Sequence, residues 1–215
     1  MAHSKFERFL PISGIVAGVL FAGSFFATAD EPTLNGDKPQ PYVDWLQHHH
    51  SELAISAICG AYFAFFMLMF ASHLRAALRS REGGESTYSS VAYAGGIGVA
   101  VSIAAMSMIS LAESSADPTA AHTLAYLGDA SWIPWAASSG VLMLGTGLGA
   151  LRTLALPKWL AVTTVVLGVL SVAGPAGIGV FLVTPLWLIA TGIVLTRRMG
   201  SGDVATPTDK VLAHA

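Results

Sequence analysis

The amino-acid sequence predicts an all-α fold, a polytopic transmembrane helix bundle of about six spans with both termini in the cytoplasm. Three observations predict it. Of the 215 residues, 53% are hydrophobic and only 11% charged, with a mean hydropathy of +0.62, whereas soluble domains carry about 25% charged residues. The apolar residues gather into stretches of about twenty, each long enough to cross roughly 30 Å of hydrocarbon as a helix. With those stretches as spans, Lys5, Arg8, Arg75, Arg79, Arg81, Arg152, Lys158, Arg197, Arg198 and Lys210 fall on one side of the membrane and only Lys38 on the other. Such an asymmetry marks cytoplasmic loops, and it places the chain in a bacterial cytoplasmic (plasma) membrane as a multi-pass protein.

Taken in order, the first span covers 10–29. Lys5 and Arg8 precede it and the acidic Asp30 and Glu31 follow, so it starts inside and exits outward. Ala27-Thr28-Ala29 before Asp30 also reads as a secretory cleavage site, and cleavage would leave five spans. Gly14 and Gly18 give this stretch a small-residue face suited to helix packing, which favours a retained span. The second span, 53–74, and the third, 91–111, are separated by a loop with Arg75, Arg79 and Arg81 followed by Gly83 and Gly84. The fourth covers 130–150, and Arg152 and Lys158 frame a short loop broken by Pro157. The fifth covers 159–173. A turn without charge, Gly174-Pro175-Ala176-Gly177, returns the chain through the sixth, 178–195, which Arg197 and Arg198 stop on the inner side. One domain therefore occupies 1–200, and the polar tail 201–215 is expected to be disordered. Trp45, Trp132 and Trp135 lie near the outer boundary and Trp159 near the inner one, where indole rings prefer the headgroup level.

The outer loops are acidic, with Asp30, Glu31, Asp37, Asp44, Glu52, Glu113 and Asp117. If a helix begins near Tyr42, Asp44, His48 and Glu52 fall on one stripe at intervals of four. His122 and Asp129, seven apart, share another face before the fourth span. Together His48, Glu52, Glu113, His122 and Asp129 make a candidate extracytoplasmic site for a divalent metal, with His49 or His50 as a further ligand. The competing reading is that these groups cap helices and meet water at the interface; an external pH sensor is a third use of the histidines. Asp129 stands out beside Trp132-Ile133-Pro134-Trp135, where proline frees a backbone carbonyl at membrane depth. Pro185 is a candidate kink in the sixth span. Met106 and Met108, two apart, point in different directions on a helix and suit packing better than copper(I). Cys59, the single cysteine, reads as a small buried hydrophobe.

What is missing narrows the function. The middle of the spans carries serines and threonines but no clear Asp, Glu, Lys or Arg, unlike most ion-coupled transporters. No catalytic motif occurs, no basic block suggests nucleic acid, and no soluble domain has room. Gly14 and Gly18, Gly95, Gly96 and Gly98, and Gly145 and Gly149 point instead to close helix packing. The sequence therefore leads first to a structural, accessory or partner-binding bundle without catalytic site or cofactor, held in lipid as a homo-oligomer or in a larger membrane complex. Its rivals are a metal-binding protein or metal-dependent enzyme at the outer histidine and carboxylate cluster, and an oligomeric small-solute channel or carrier.

Several segments carry a resemblance. Trp45-Leu-Gln-His-His-His-Ser-Glu52 leading into the second span, His73-Leu-Arg-Ala-Ala-Leu-Arg79 with Glu82-Gly83-Gly84, Leu156-Pro157-Lys158-Trp159-Leu160, Leu167-Gly168-Val169-Leu170 and Pro185-Leu186-Trp187-Leu188 together resemble a family of uncharacterised actinobacterial six-helix integral membrane proteins. The family usually has one histidine where this chain has three. The resemblance implies a six-helix bundle and brings no activity or catalytic residue with it.

Overall fold

The computed structural model describes residues 9–32, 40–83 and 86–200. The expected disordered tail, 201–215, lies outside the described residues. Among those residues the secondary structure is entirely helical, in eight helices: α1 Ile12–Ala27, α2 Gln40–His48, α3 His50–Arg79, α4 Thr87–Glu113, α5 Pro118–Ala130, α6 Trp132–Thr153, α7 Lys158–Ser171 and α8 Ala176–Gly200. Each of the six apolar stretches read from the sequence is a helix. Three of them, α3, α4 and the Ala176–Arg198 part of α8, are long and apolar enough to cross a membrane by length and composition. α1 and α7 are apolar but shorter, at 16 and 14 residues, and in α6 the glycines and serines dilute the hydropathy.

The six longer helices close into a ring of neighbours in the order α1, α3, α4, α6, α7, α8 and back to α1. Small residues set how closely the ring draws in. At Gly95 of α4 an added Cβ would lie 2.2 Å from the Leu142 backbone nitrogen of α6, and at Gly145 of α6 it would lie 2.6 Å from that of Ala92 in α4. The two backbones therefore touch where only glycine fits. Gly18 of α1 seats against the Pro185 carbonyl of α8, so Pro185 serves as a contact surface inside a continuous helix. Inside the ring lies one core that includes Phe21, Phe63, Phe70, Met67, Trp135, Leu142 and Trp187. The Trp187 indole nitrogen donates to the Thr164 hydroxyl at 2.8 Å, which satisfies a polar tip that burial would otherwise strand.

α2 and α5 were not expected as separate helices, and they cover one end of the ring. α5 starts because the Asp117 carboxylate accepts from the Thr119 and Ala120 N–H groups and Pro118 takes the first turn, where its missing donor costs nothing. Tyr42, Trp45 and Leu46 of α2 meet Ala121 and Ala125 of α5 and Leu53 of α3 in a second, smaller apolar cluster. The stripe of Asp44, His48 and Glu52 is interrupted, since the chain leaves helical geometry at His49 (φ −116°, ψ 35°). There the His49 ring stacks on Trp45 at 4.6 Å between centroids and its Nδ1 sits 2.9 Å from the Trp45 carbonyl oxygen, so side-chain contacts hold the corner between α2 and α3.

Candidate functional site

Beneath the α2 and α5 cap a cavity of about 490 Å³ runs into the ring between α1, α3, α4 and α8. Its mouth is acidic. Glu31, four residues past the end of α1, and Asp129, in the last turn of α5, line it from exposed positions, and Glu113, at the end of α4, lines it from a position only 5% exposed. Tyr42 of α2 stands between, within hydrogen-bonding reach of both Glu31 and Glu113. Gly128 leaves the space the buried carboxylate uses, since an added Cβ would stand 3.0 Å from the Glu113 Oε1.

Below the mouth the wall is hydroxylic. Ser24 donates to the Phe21 carbonyl oxygen at 2.7 Å, Ser107 to that of Ile103 at 2.9 Å, and Ser56 reaches across from α3 to that of Ser24 at 3.3 Å. Because each of these hydroxyls spends its one proton on a backbone carbonyl, what it can offer the cavity is oxygen lone pairs. The floor is aromatic: Phe21, Phe25 and Phe181 pack with ring centroids 4.8 to 5.0 Å apart, and Met106 and Ile103 complete it. No basic side chain among the described residues lines the cavity. The site thus offers acceptors and negative charge above an apolar base.

The charges act on one another. Burial, ahead of repulsion from Asp129 and Asp30, pushes the Glu31 carboxyl above its ordinary value of 4.5, and the Tyr42 hydrogen bond pulls the other way. Glu31 is exposed at its outer edge, yet its inner surroundings are crowded enough for desolvation to dominate. Burial also pushes the Tyr42 phenol up, and the Glu31 and Glu113 charges add to it. Tyr42 therefore stays a neutral phenol, whose single proton can serve only one glutamate at a time.

Of the five residues singled out for a metal, the structure brings Glu113 and Asp129 to this cavity and leaves the other three outside its lining. His48 is exposed on α2 with its Nδ1 2.7 Å from the Asp44 carbonyl oxygen, and Glu52 accepts from the Ser51 hydroxyl at 2.8 Å. His122 packs edge-on against Tyr126, and its buried Nε2 has no hydrogen-bond partner. Among the described residues, no three His, Cys, Asp or Glu side chains come together as a metal-holding group. Sequence reasoning missed Glu31, Tyr42 and the serine wall. In the sequence Glu31 is one acidic residue of the outer loops and Tyr42 a helix start; the signal available is a tyrosine and three carboxylates at predicted outer helix ends. The chain matches no family model, no curated protein and no solved structure, so the chemistry of the cavity rests on its own residues.

Proposed function

We propose that the chain is a multi-pass protein of the bacterial cytoplasmic membrane that carries a small solute in this cavity, with the acidic mouth facing outward. The observation that supports the reading best is the cavity itself. Its volume of about 490 Å³ falls within the roughly 300–1,000 Å³ of small-molecule sites, and its apolar base with a few convergent polar groups is their usual make-up. The segregation of basic residues supports the orientation, because the end opposite the mouth is the one the positive-inside rule assigns to the cytoplasm. All six ring helices cross in this reading, and the bilayer thins or α3, α4 and α8 tilt where α1 and α7 are short.

A purely structural or accessory bundle, the first expectation from the sequence, accounts for the glycine contacts but gives no role to a buried carboxylate lining an open cavity. Charge in such a place is costly unless a function or a ligand compensates it. The metal reading draws on the same Glu113 and Asp129, but His48, Glu52 and His122 lie outside the lining of the cavity.

Thermal unfolding of the detergent-purified full chain against a panel of small cationic, neutral and anionic solutes tests the proposal. A binder present at 100 times its Kd adds about 2.7 kcal/mol, a readily seen shift, and Ser107→Phe, which fills the cavity from its α4 wall, is expected to abolish the shift. A panel without a stabilising solute, or shifts that persist in Ser107→Phe, would leave the accessory reading as the better account.

A further inference from the structure

The solute's class follows from what lines the cavity, an inference that rests on the carrier reading above. We propose that the solute is a small organic cation with an apolar body, and that it binds in exchange for a proton held among Glu31, Glu113 and Asp129. Four observations carry this. Three carboxylates share the mouth and no basic side chain among the described residues lines the cavity. Glu113 among them is only 5% exposed, a place where an ionised carboxylate without a counter-ion is costly. The hydroxyls of Ser24, Ser56 and Ser107 give their protons to backbone carbonyls and so present oxygen to the ligand. The rings of Phe21, Phe25 and Phe181 form an apolar floor that accepts an aliphatic or aromatic body and, at ring faces, a cation.

The size of the arrangement separates an organic cation from a bare metal ion. The carboxylates surround a space of about 490 Å³ without converging on a single point, so they suit a bulky, weakly hydrated charge more than a small hard one. The exchange balances: the O–H bond of a carboxylic acid breaks, its proton passes to bulk water, and the carboxylate left behind pairs with the incoming cation. The charge inside the cavity stays constant.

The titratable groups facing Glu113 are few. Glu31 comes from the segment after α1, Tyr42 from α2 and Asp129 from α5. From α3, His50 shares with Glu113 a separate crevice of about 20 Å³. His50 is thus the one alternative proton donor among them besides the acids and the phenol, and a variant can remove it.

Isothermal calorimetry on the detergent-purified full chain tests the exchange, with benzyltrimethylammonium as probe. Its charge is permanent, so any proton released comes from the protein. Neopentylbenzene, its uncharged isostere, and phenylacetate, an anion of similar size, are the comparisons. Titration at one pH in phosphate and in Tris, which differ in ionisation enthalpy, counts the protons. The expected result is binding of the cation alone, with about one proton released per cation and a Kd that tightens by about tenfold per pH unit on the acid side. Glu113→Gln is expected to remove most of the release and weaken binding at least about tenfold; His50→Gln is expected to keep both. Where Glu113→Gln does not fold, Glu31→Gln and the pH profile of the unaltered chain read the same exchange. Cation binding with no proton release, or release lost in His50→Gln, overturns the exchange. Binding of neopentylbenzene or phenylacetate in preference to the cation overturns the solute class and leaves the carrier reading standing. Binding of none of the three removes both.

Discussion

Glu31 shows how a position at the edge of a bundle becomes sensitive to pH. Its carboxyl is raised above 4.5 chiefly by burial, so the folded protein holds this proton more tightly than the unfolded chain does. By linkage, the stability it contributes is fully present below the unfolded value and is lost as pH rises through the folded one. A Glu31→Gln variant keeps the neutral form at every pH. Thermal unfolding of both proteins is therefore expected to coincide near pH ~4 and to separate upward from there, with the unaltered protein the less stable. A relative gain by the unaltered protein as pH rises would contradict the burial argument. Glu113 and Asp129 were legible in the sequence because both terminate apolar stretches on the acidic side. Glu31 and Tyr42 were not, since their meeting depends on how α2 folds back over the ring, and that return is decided by side-chain contacts such as His49 on Trp45 instead of by hydropathy.

Between the elements α4 and α6, glycine lets backbone meet backbone. The contact at Gly95 meets backbone atoms of Leu142 and the contact at Gly145 meets those of Ala92, and backbone of a packed helix cannot swing aside as a side chain can. Gly95→Ala and Gly145→Ala are each expected to cost about 1–3 kcal/mol, seen as a lowered unfolding midpoint in detergent. The double variant is expected to cost less than the sum, because once one contact pushes the helices apart the second clash is already relieved. Gly179→Ala in α8 is the matched control, with nothing within 4 Å of the added Cβ, and is expected to change stability by less than about 0.5 kcal/mol or to raise it slightly. Equal effects at all three sites would mean that helix propensity, not close approach, governs them. Gly14, Gly18, Gly95 and Gly145 announced these contacts as small-residue faces. α2 and α5 gave a weaker signal: each is short, carries polar residues on one side, and buries only a few groups such as Tyr42, Trp45, Ala121 and Ala125, so neither produces the long apolar run by which the ring helices stand out.

The two ends of the molecule differ in charge. Around the Leu154 carbonyl oxygen the Arg81 guanidinium of the loop after α3 and the Arg198 guanidinium of α8 meet at 3.4 and 2.7 Å, and Arg152 lies over the Tyr88 ring at 5.6 Å. Glu31, Glu113 and Asp129 gather at the other end. A ring of antiparallel neighbours that sorts its charges in this way is what a bundle with alternating crossings produces, so the six-span reading makes a prediction that fewer crossings do not share. In a Cys59→Ala background, single cysteines placed at Ser115 and Pro175 are expected to react with a membrane-impermeant maleimide on intact cells. Cysteines at Ser80, Leu154 and Ala215 are expected to react only after the membrane is opened. Pro175 decides the count, because α7 at 14 residues spans only about 21 Å: reaction from the outside means that α7 and α8 both cross, and protection together with Ser80 means that they form a hairpin that does not pass through. Ser4→Cys decides the start of the chain. Labelling only after opening, on a full-length product, retains the first span with its amino terminus inside, whereas loss of the Ser4 cysteine from the mature protein leaves five spans and places the new amino terminus beside the acidic mouth.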